Sequence, residues 1–89
     1  MIIKRANDGV HKYIAVFKSG KTTSFGAVGY DDYTLTKDKA QRQAYRTRHK
    51  KDLETNDPTR AGYLSYHLLW GPSTSLATNV NTYNARFNV

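Results

Sequence analysis

The chain has 89 residues, a net charge of +7 and no cysteine, which excludes disulfides, thiolate metal sites and thiol nucleophiles together. One domain with a thin core is expected at this length, and a hydrophobic fraction of 38% with a mean hydropathy of -0.73 gives it a polar surface. A pI near 9.8 points to acidic partners, whether nucleic acid, an anionic membrane surface or the acidic face of another protein; no apolar run approaches the roughly 20 residues of a membrane span, and the N-terminus lacks the apolar region of a signal peptide.

Asp8-Gly9 and Ser19-Gly20 each suit a two-residue hairpin loop, because Gly tolerates the positive φ that such turns require. They delimit strands at 2–6, 10–18 and 21–28, a three-stranded antiparallel meander within 1–30. With two-residue loops, Ile3 falls opposite Ile14 and Ile14 opposite Phe25, which makes one transverse apolar row. Met1, Val16 and Thr23 form the neighbouring row, and this face is expected to lie under Trp70 and the helices of the second half. The crossing loop, 29–33, holds Asp31 and Asp32. Adjacent carboxylates can hold a divalent cation, yet without a third acidic ligand they read more simply as turn formers, one of them pairing with a Lys or Arg of the following helix. His11, His49 and His67 show no ligand spacing, so neither a metal nor a cofactor is expected.

Half of the fourteen Lys and Arg residues lie between Lys37 and Lys51. Lacking Gly and Pro, 36–54 reads as one basic helix, N-capped by Thr36, with Asp38 in its first turn and Asn56-Asp57-Pro58 at its end. At about 100° per residue, Lys39, Arg42, Arg46 and Lys50 share one face, and Arg48 and Lys51 add charge beside it. These six are the candidate partner-binding residues, for an acidic protein or for nucleic acid; the plainer reading is a solvated face. Tyr45, His49 and Leu53 give the helix only a narrow semi-apolar strip.

Two further helices are expected within 58–87. Asp57-Pro58 starts the first and Gly71-Pro72 stops it. Tyr63, Tyr66, His67 and Trp70 recur there at i, i+3, i+4 and i+7, a core face more than a base-stacking one. Ser73 caps the last helix, with Leu76, Val80, Tyr83 and Phe87 on one face and Asn79, Asn81 and Asn84 turned outward. The fold class is therefore α+β, an N-terminal three-stranded antiparallel meander followed by about three α-helices, in a single domain over 1–89.

Three segments, SFGAVGYDDYTLTKDKAQRQAYRTRHKKDLE, AGYLSYHLLWGPS and the closing ARF, carry a resemblance. Their pattern is Phe25-Gly26, Gly29-Tyr30, Asp32-Tyr33-Thr34, Lys37-Asp38, Tyr45 with Arg48-His49, Leu69-Trp70, Pro72-Ser73 and Arg86-Phe87. In order and spacing it resembles a family of small uncharacterised proteins of nucleocytoplasmic large DNA viruses; the linker ETNDPTR departs from the pattern and the first twenty residues lie outside it. The resemblance implies a viral, virion-associated setting more than a mechanism. Within it the favoured reading is a non-enzymatic virion structural protein, a small minor capsid or cementing component that binds larger capsid proteins through its basic helix and aromatic patches, found in the virion and in the host cytoplasm during assembly. It is favoured because a +5 segment is less extreme than the basic tails of condensing proteins and the Asn/Thr surface of the last helix suits protein contacts. The alternative is a basic nucleic-acid-binding protein that helps compact or package the viral genome, with Lys39, Arg42, Arg46 and Lys50 on phosphates. The residues themselves offer no nucleophile elbow, no phosphate-cradling glycine loop and no His with an evident orienting carboxylate, so catalysis is not expected.

Overall fold

In the computed structural model, which describes residues 1–89, strands β1 (Ile2–Arg5), β2 (His11–Val16) and β3 (Thr22–Ala27) form one antiparallel sheet in the order β1-β2-β3. The strands stand where the turn signals put them, but both loops are longer than two residues. The Asp8 carboxylate accepts from the Val10 and His11 amides at 2.9 and 2.8 Å, holding an Asx turn that delays pairing until Ala6 meets Lys12. In the second loop Phe17 pairs with Lys21, and Gly20, left-handed at φ 89°, donates to the Phe17 carbonyl. This is a three-residue hairpin loop with glycine at its left-handed position.

Each loop shifts the register by one residue, which corrects the expected Ile3-Ile14-Phe25 row. Ile3 lies opposite Ala15, Tyr13 opposite Phe25, and Ile14 opposite Lys4 and Ser24. Since the side-chain period of a strand is two, this slip turns Ile14 to the other face. The covered face buries Ala15, Phe17 and Phe25, with Ile3 and Tyr13 packed against them. The uncovered face carries Ile14 and Val16 beside Ile2, which is 63% exposed. Phe25→Ala should therefore cost about 3–5 kcal/mol, and Ile14→Ala under about 1 kcal/mol, in urea unfolding at constant m; equal losses would restore the two-residue loops.

The predicted basic helix, 36–54, is divided into three pieces. A single turn, α1 (Tyr33–Thr36), is N-capped by Asp32 and ended by Lys37 in the left-handed region. Asp38, a better cap than Thr36, accepts from Ala40 and Gln41 and starts α2 (Lys39–Arg48). After His49 the chain tightens into a 3-10 turn, Lys50–Thr55, closed by Asn56 at φ 50°. Asp32 does form an ion pair, but with a strand lysine. The Nζ of Lys12 lies 2.7 Å from its carboxylate and 2.6 Å from the Tyr30 carbonyl.

The next helix begins three residues later than expected, because Asp57 accepts from the amide and hydroxyl of Thr59 and makes a turn there. Helix α3 runs through Ala61–Leu64 and continues as a π turn over Ser65–Leu69, closed by Trp70 N–H donating to the Ser65 carbonyl. The last helix, α4 (Leu76–Phe87), is capped by Ser75 in place of Ser73. Its Tyr83 is buried, and Leu76, Val80 and Phe87 pack on the core as expected. Asn79 is inside, not outside: it donates to the carbonyls of Leu68 and Ser73 and accepts from the Ser73 amide. Asn84 also turns inward, donating to the Met1 carbonyl. The ten buried core residues come from β2, β3, α1, α3 and α4 together with Phe17 and Trp70.

Candidate anion-binding site

Four of the six candidate residues lie open on the surface and two do not. Lys39, Arg48, Lys50 and Lys51 are exposed, and none takes part in the ion pairs of the fold. Arg42 and Arg46 turn inward. Arg42 Nε donates to the Gly71 carbonyl at 2.7 Å, and Arg46 Nη1 donates to the Trp70 carbonyl at 2.8 Å. The cause lies in α3: its C-terminal turn leaves carbonyls without helical partners, and the π turn re-aims them. That end of a helix carries partial negative charge, which two arginines from α2 complement. The Arg46 guanidinium also sits 4.2 Å from the centre of the Tyr66 ring. Lys50 has left the helix for the 3-10 turn, so the expected stripe is not one continuous face.

Beside these arginines a cavity of about 180 Å³ opens between α2, α3 and α4. Its wall includes Arg42, Arg46, Arg86, His67, Thr82 and Tyr83, and it contains no carboxylate. Carbonyl oxygens accept hydrogen bonds from Arg42 and Arg46 without cancelling their charge. Arg86 is exposed at the rim, 4.9 Å from the Phe87 ring. His67 lies among Tyr63, Tyr66, Tyr83 and Phe87, and its Nε2 is buried with no hydrogen-bond partner. Burial, then Arg86 and Arg46, push its pKa down to about 4, so the ring is neutral at pH 7. Burial also lowers the pKa of Arg46, with Arg42 adding to the effect. The wider depressions elsewhere mix their charges: one of about 840 Å³ sets Lys12 and Arg48 beside Asp31, Asp32 and Asp52, and one of about 530 Å³ sets Lys21 and Arg60 beside Asp52 and Asp57.

Sequence reasoning missed His67 and Arg86 as members of this site because they reach it from helices distant in the chain. One signal was present, since Arg86 is the single cation of α4. Next to Arg46 on α2, Tyr45 stacks on Trp70 at 4.4 Å and on His49 at 4.1 Å. Burial, then the charge of Asp52, push the Tyr45 hydroxyl up to about 12.

Residues 1–49, more than half of the chain, match a family described as "Family of unknown function (DUF5754)". The chain belongs to this family. The DUF5754 match spans the sheet, α1, α2 and its C-cap His49, and so includes Lys39, Arg42, Arg46 and Arg48 but not Lys50, Lys51, His67 or Arg86. No curated protein and no solved structure matches the chain. No group of three or more His, Cys, Asp or Glu side chains able to hold a metal comes together, and no helix is long and apolar enough to cross a membrane.

Proposed function

We propose that this DUF5754 chain is a non-enzymatic docking protein that seats itself on the acidic surface of a larger protein. Its exposed cations Lys39, Arg48, Lys50 and Lys51 make the charged contacts. The motif resemblance to small proteins of large DNA viruses supports a larger capsid protein as that partner. On this reading the chain is a minor capsid or cementing component of the virion, present in the host cytoplasm during assembly.

The observation that carries the proposal is that exposed cations outside the ion pairs of the fold coexist with a sheet face away from the core, where exposed Ile2 lies beside half-buried Ile14 and Val16. A nucleic-acid backbone offers phosphates to the cations and little to that face, whereas protein surfaces supply both acidic and apolar contacts. The carboxylates support binding over acid–base chemistry. Asp8, Asp38 and Asp57 hold backbone amides of turns and caps, and Asp32 holds both a cap and Lys12. The two carboxylates that do meet a histidine, Asp8 at 2.7 Å from His11 Nδ1 and Asp52 at 3.3 Å from His49 Nδ1, are local i, i+3 pairs on the surface, contrary to the expectation that no His has such a partner.

The test sets the two binding classes against each other. Lys39→Glu, Lys50→Glu and Lys51→Glu together should sharply reduce incorporation into particles without lowering the melting temperature, because these side chains hold nothing within the fold. The unaltered protein should bind mixed-sequence DNA only weakly at about 0.15 M salt, where exposed charges are screened. Micromolar DNA binding that persists at that salt would replace the docking reading with genome compaction.

A further inference from the structure

We propose that the cavity between α2, α3 and α4 binds a tetrahedral oxyanion of the phosphate class, held by Arg42, Arg46 and Arg86 with Thr82 and the neutral His67 ring beside it. The inference stands apart from the docking surface, because Lys39, Arg48, Lys50 and Lys51 do not line the cavity.

Three features of the wall lead to it. The first is unbalanced charge: three guanidiniums border one small space in which no carboxylate stands. Like charges brought together on structured elements call for a counter-ion. The second is preorganisation. A guanidinium has five N–H donors in a fixed fork; Arg42 uses Nε and Arg46 uses Nη1 on backbone carbonyls. These ties anchor both side chains and leave the remaining donors free for a ligand. The third is the set of neutral groups. The Tyr83 hydroxyl is occupied with the Pro58 carbonyl, and Asn79 is fully bonded. The exposed Thr82 hydroxyl makes no side-chain hydrogen bond in the fold, and the neutral His67 ring, whose buried Nε2 has no partner, forms part of the wall.

The number and sign of these donors select the ligand. A carboxylate brings one negative charge and two oxygens, too few for three arginine forks. A phosphate brings up to two negative charges and oxygens in a tetrahedral array, which guanidiniums bind through paired hydrogen bonds. The same chemistry is offered by free inorganic phosphate and by a phosphomonoester, and the cavity's opening beside exposed Arg86 admits either.

The experiment titrates the full chain at low ionic strength with inorganic phosphate, with O-phosphoserine and with acetate, following heat of binding and the His67 ring signals by NMR. Saturable binding of phosphate with one site per chain is expected, with a shift of the His67 ring signals as the anion enters beside that ring. Arg86→Gln is the decisive variant, since that side chain makes no hydrogen bond in the fold; it should weaken phosphate binding by about tenfold or more at an unchanged melting temperature. Thr82→Val should weaken it less, and Lys4→Gln, on the exposed side of β1, should leave it within about twofold, as expected for a screened distant charge. Tighter binding of O-phosphoserine than of phosphate would assign the pocket to an esterified group, and the reverse order to the free ion. Acetate binding as tightly as phosphate, no saturable binding up to about 10 mM, an affinity too weak for a specific site, or an unchanged affinity in Arg86→Gln would each overturn the proposal.

Discussion

Gly71→Ala should be the most damaging single substitution in the chain, lowering stability by on the order of 4 kcal/mol or more, a large part of what a small domain possesses. A Cβ at this position would lie 2.1 Å from the His67 carbonyl oxygen and 3.1 Å from the Asn79 side-chain amide. The first contact is with backbone inside the π turn, so no rotamer change relieves it. Moving residue 71 away would draw its carbonyl off Arg42 and disturb Asn79, the side chain that ties α4 to Leu68 and Ser73. Chemical and thermal unfolding of the variant would measure the loss. A cost below about 1 kcal/mol would show that the turn after α3 relaxes freely, against the close packing described here.

Asp32→Ala should follow, at about 3–5 kcal/mol, the range for removing one partner of a buried ion pair. Asp32 is only 2% exposed. Its loss leaves the Lys12 ammonium with the Tyr30 carbonyl alone and strips α1 of the cap that binds the Thr34 amide and hydroxyl. Asp32→Asn divides these effects, keeping an acceptor for the cap while leaving the lysine charge unopposed. A double change, Lys12→Met with Asp32→Asn, should recover part of the loss, since replacing a buried charge with a packed apolar group is often neutral or favourable. Urea midpoints at constant m would check the series, and losses under about 1 kcal/mol for both single variants at Asp32 would remove the pair from the structural account.

The order and type of elements were legible because each rests on local chemistry: glycine at the hairpin loops, acidic and hydroxyl caps, aromatic residues at helical spacing. Register was not. Ser19-Gly20 fits a two-residue or a three-residue loop equally well, and only the tertiary fit of Phe25 and Ala15 under α3 decides between them, so Ile14 was placed on the wrong face. The basic segment was legible as charge but not as direction. Arg42 and Arg46 turn inward because the π turn of α3 exposes carbonyls, a feature that hydrophobic periodicity does not encode. Asn79 misled for a related reason: its amide is polar, yet it matches the free carbonyl of Leu68 and both backbone groups of Ser73. Arg86 and His67 join the cavity through contacts across distant segments, where no sequence spacing could have linked them to α2.

The stack at the junction of α2 and α3 gives the molecule an optical gauge. Trp70 is the single tryptophan of the chain, 7% exposed, and its ring lies within 9° of parallel to Tyr45. Because Arg46 of α2 grips the carbonyl of the same residue, lifting α2 from α3 breaks the stack and the hydrogen bond together. Indole emission and near-ultraviolet circular dichroism therefore report the seating of α2 without any label. A change of these signals on mixing with a partner or an anion reads movement at that seam, separately from the far-ultraviolet signal of the sheet and helices.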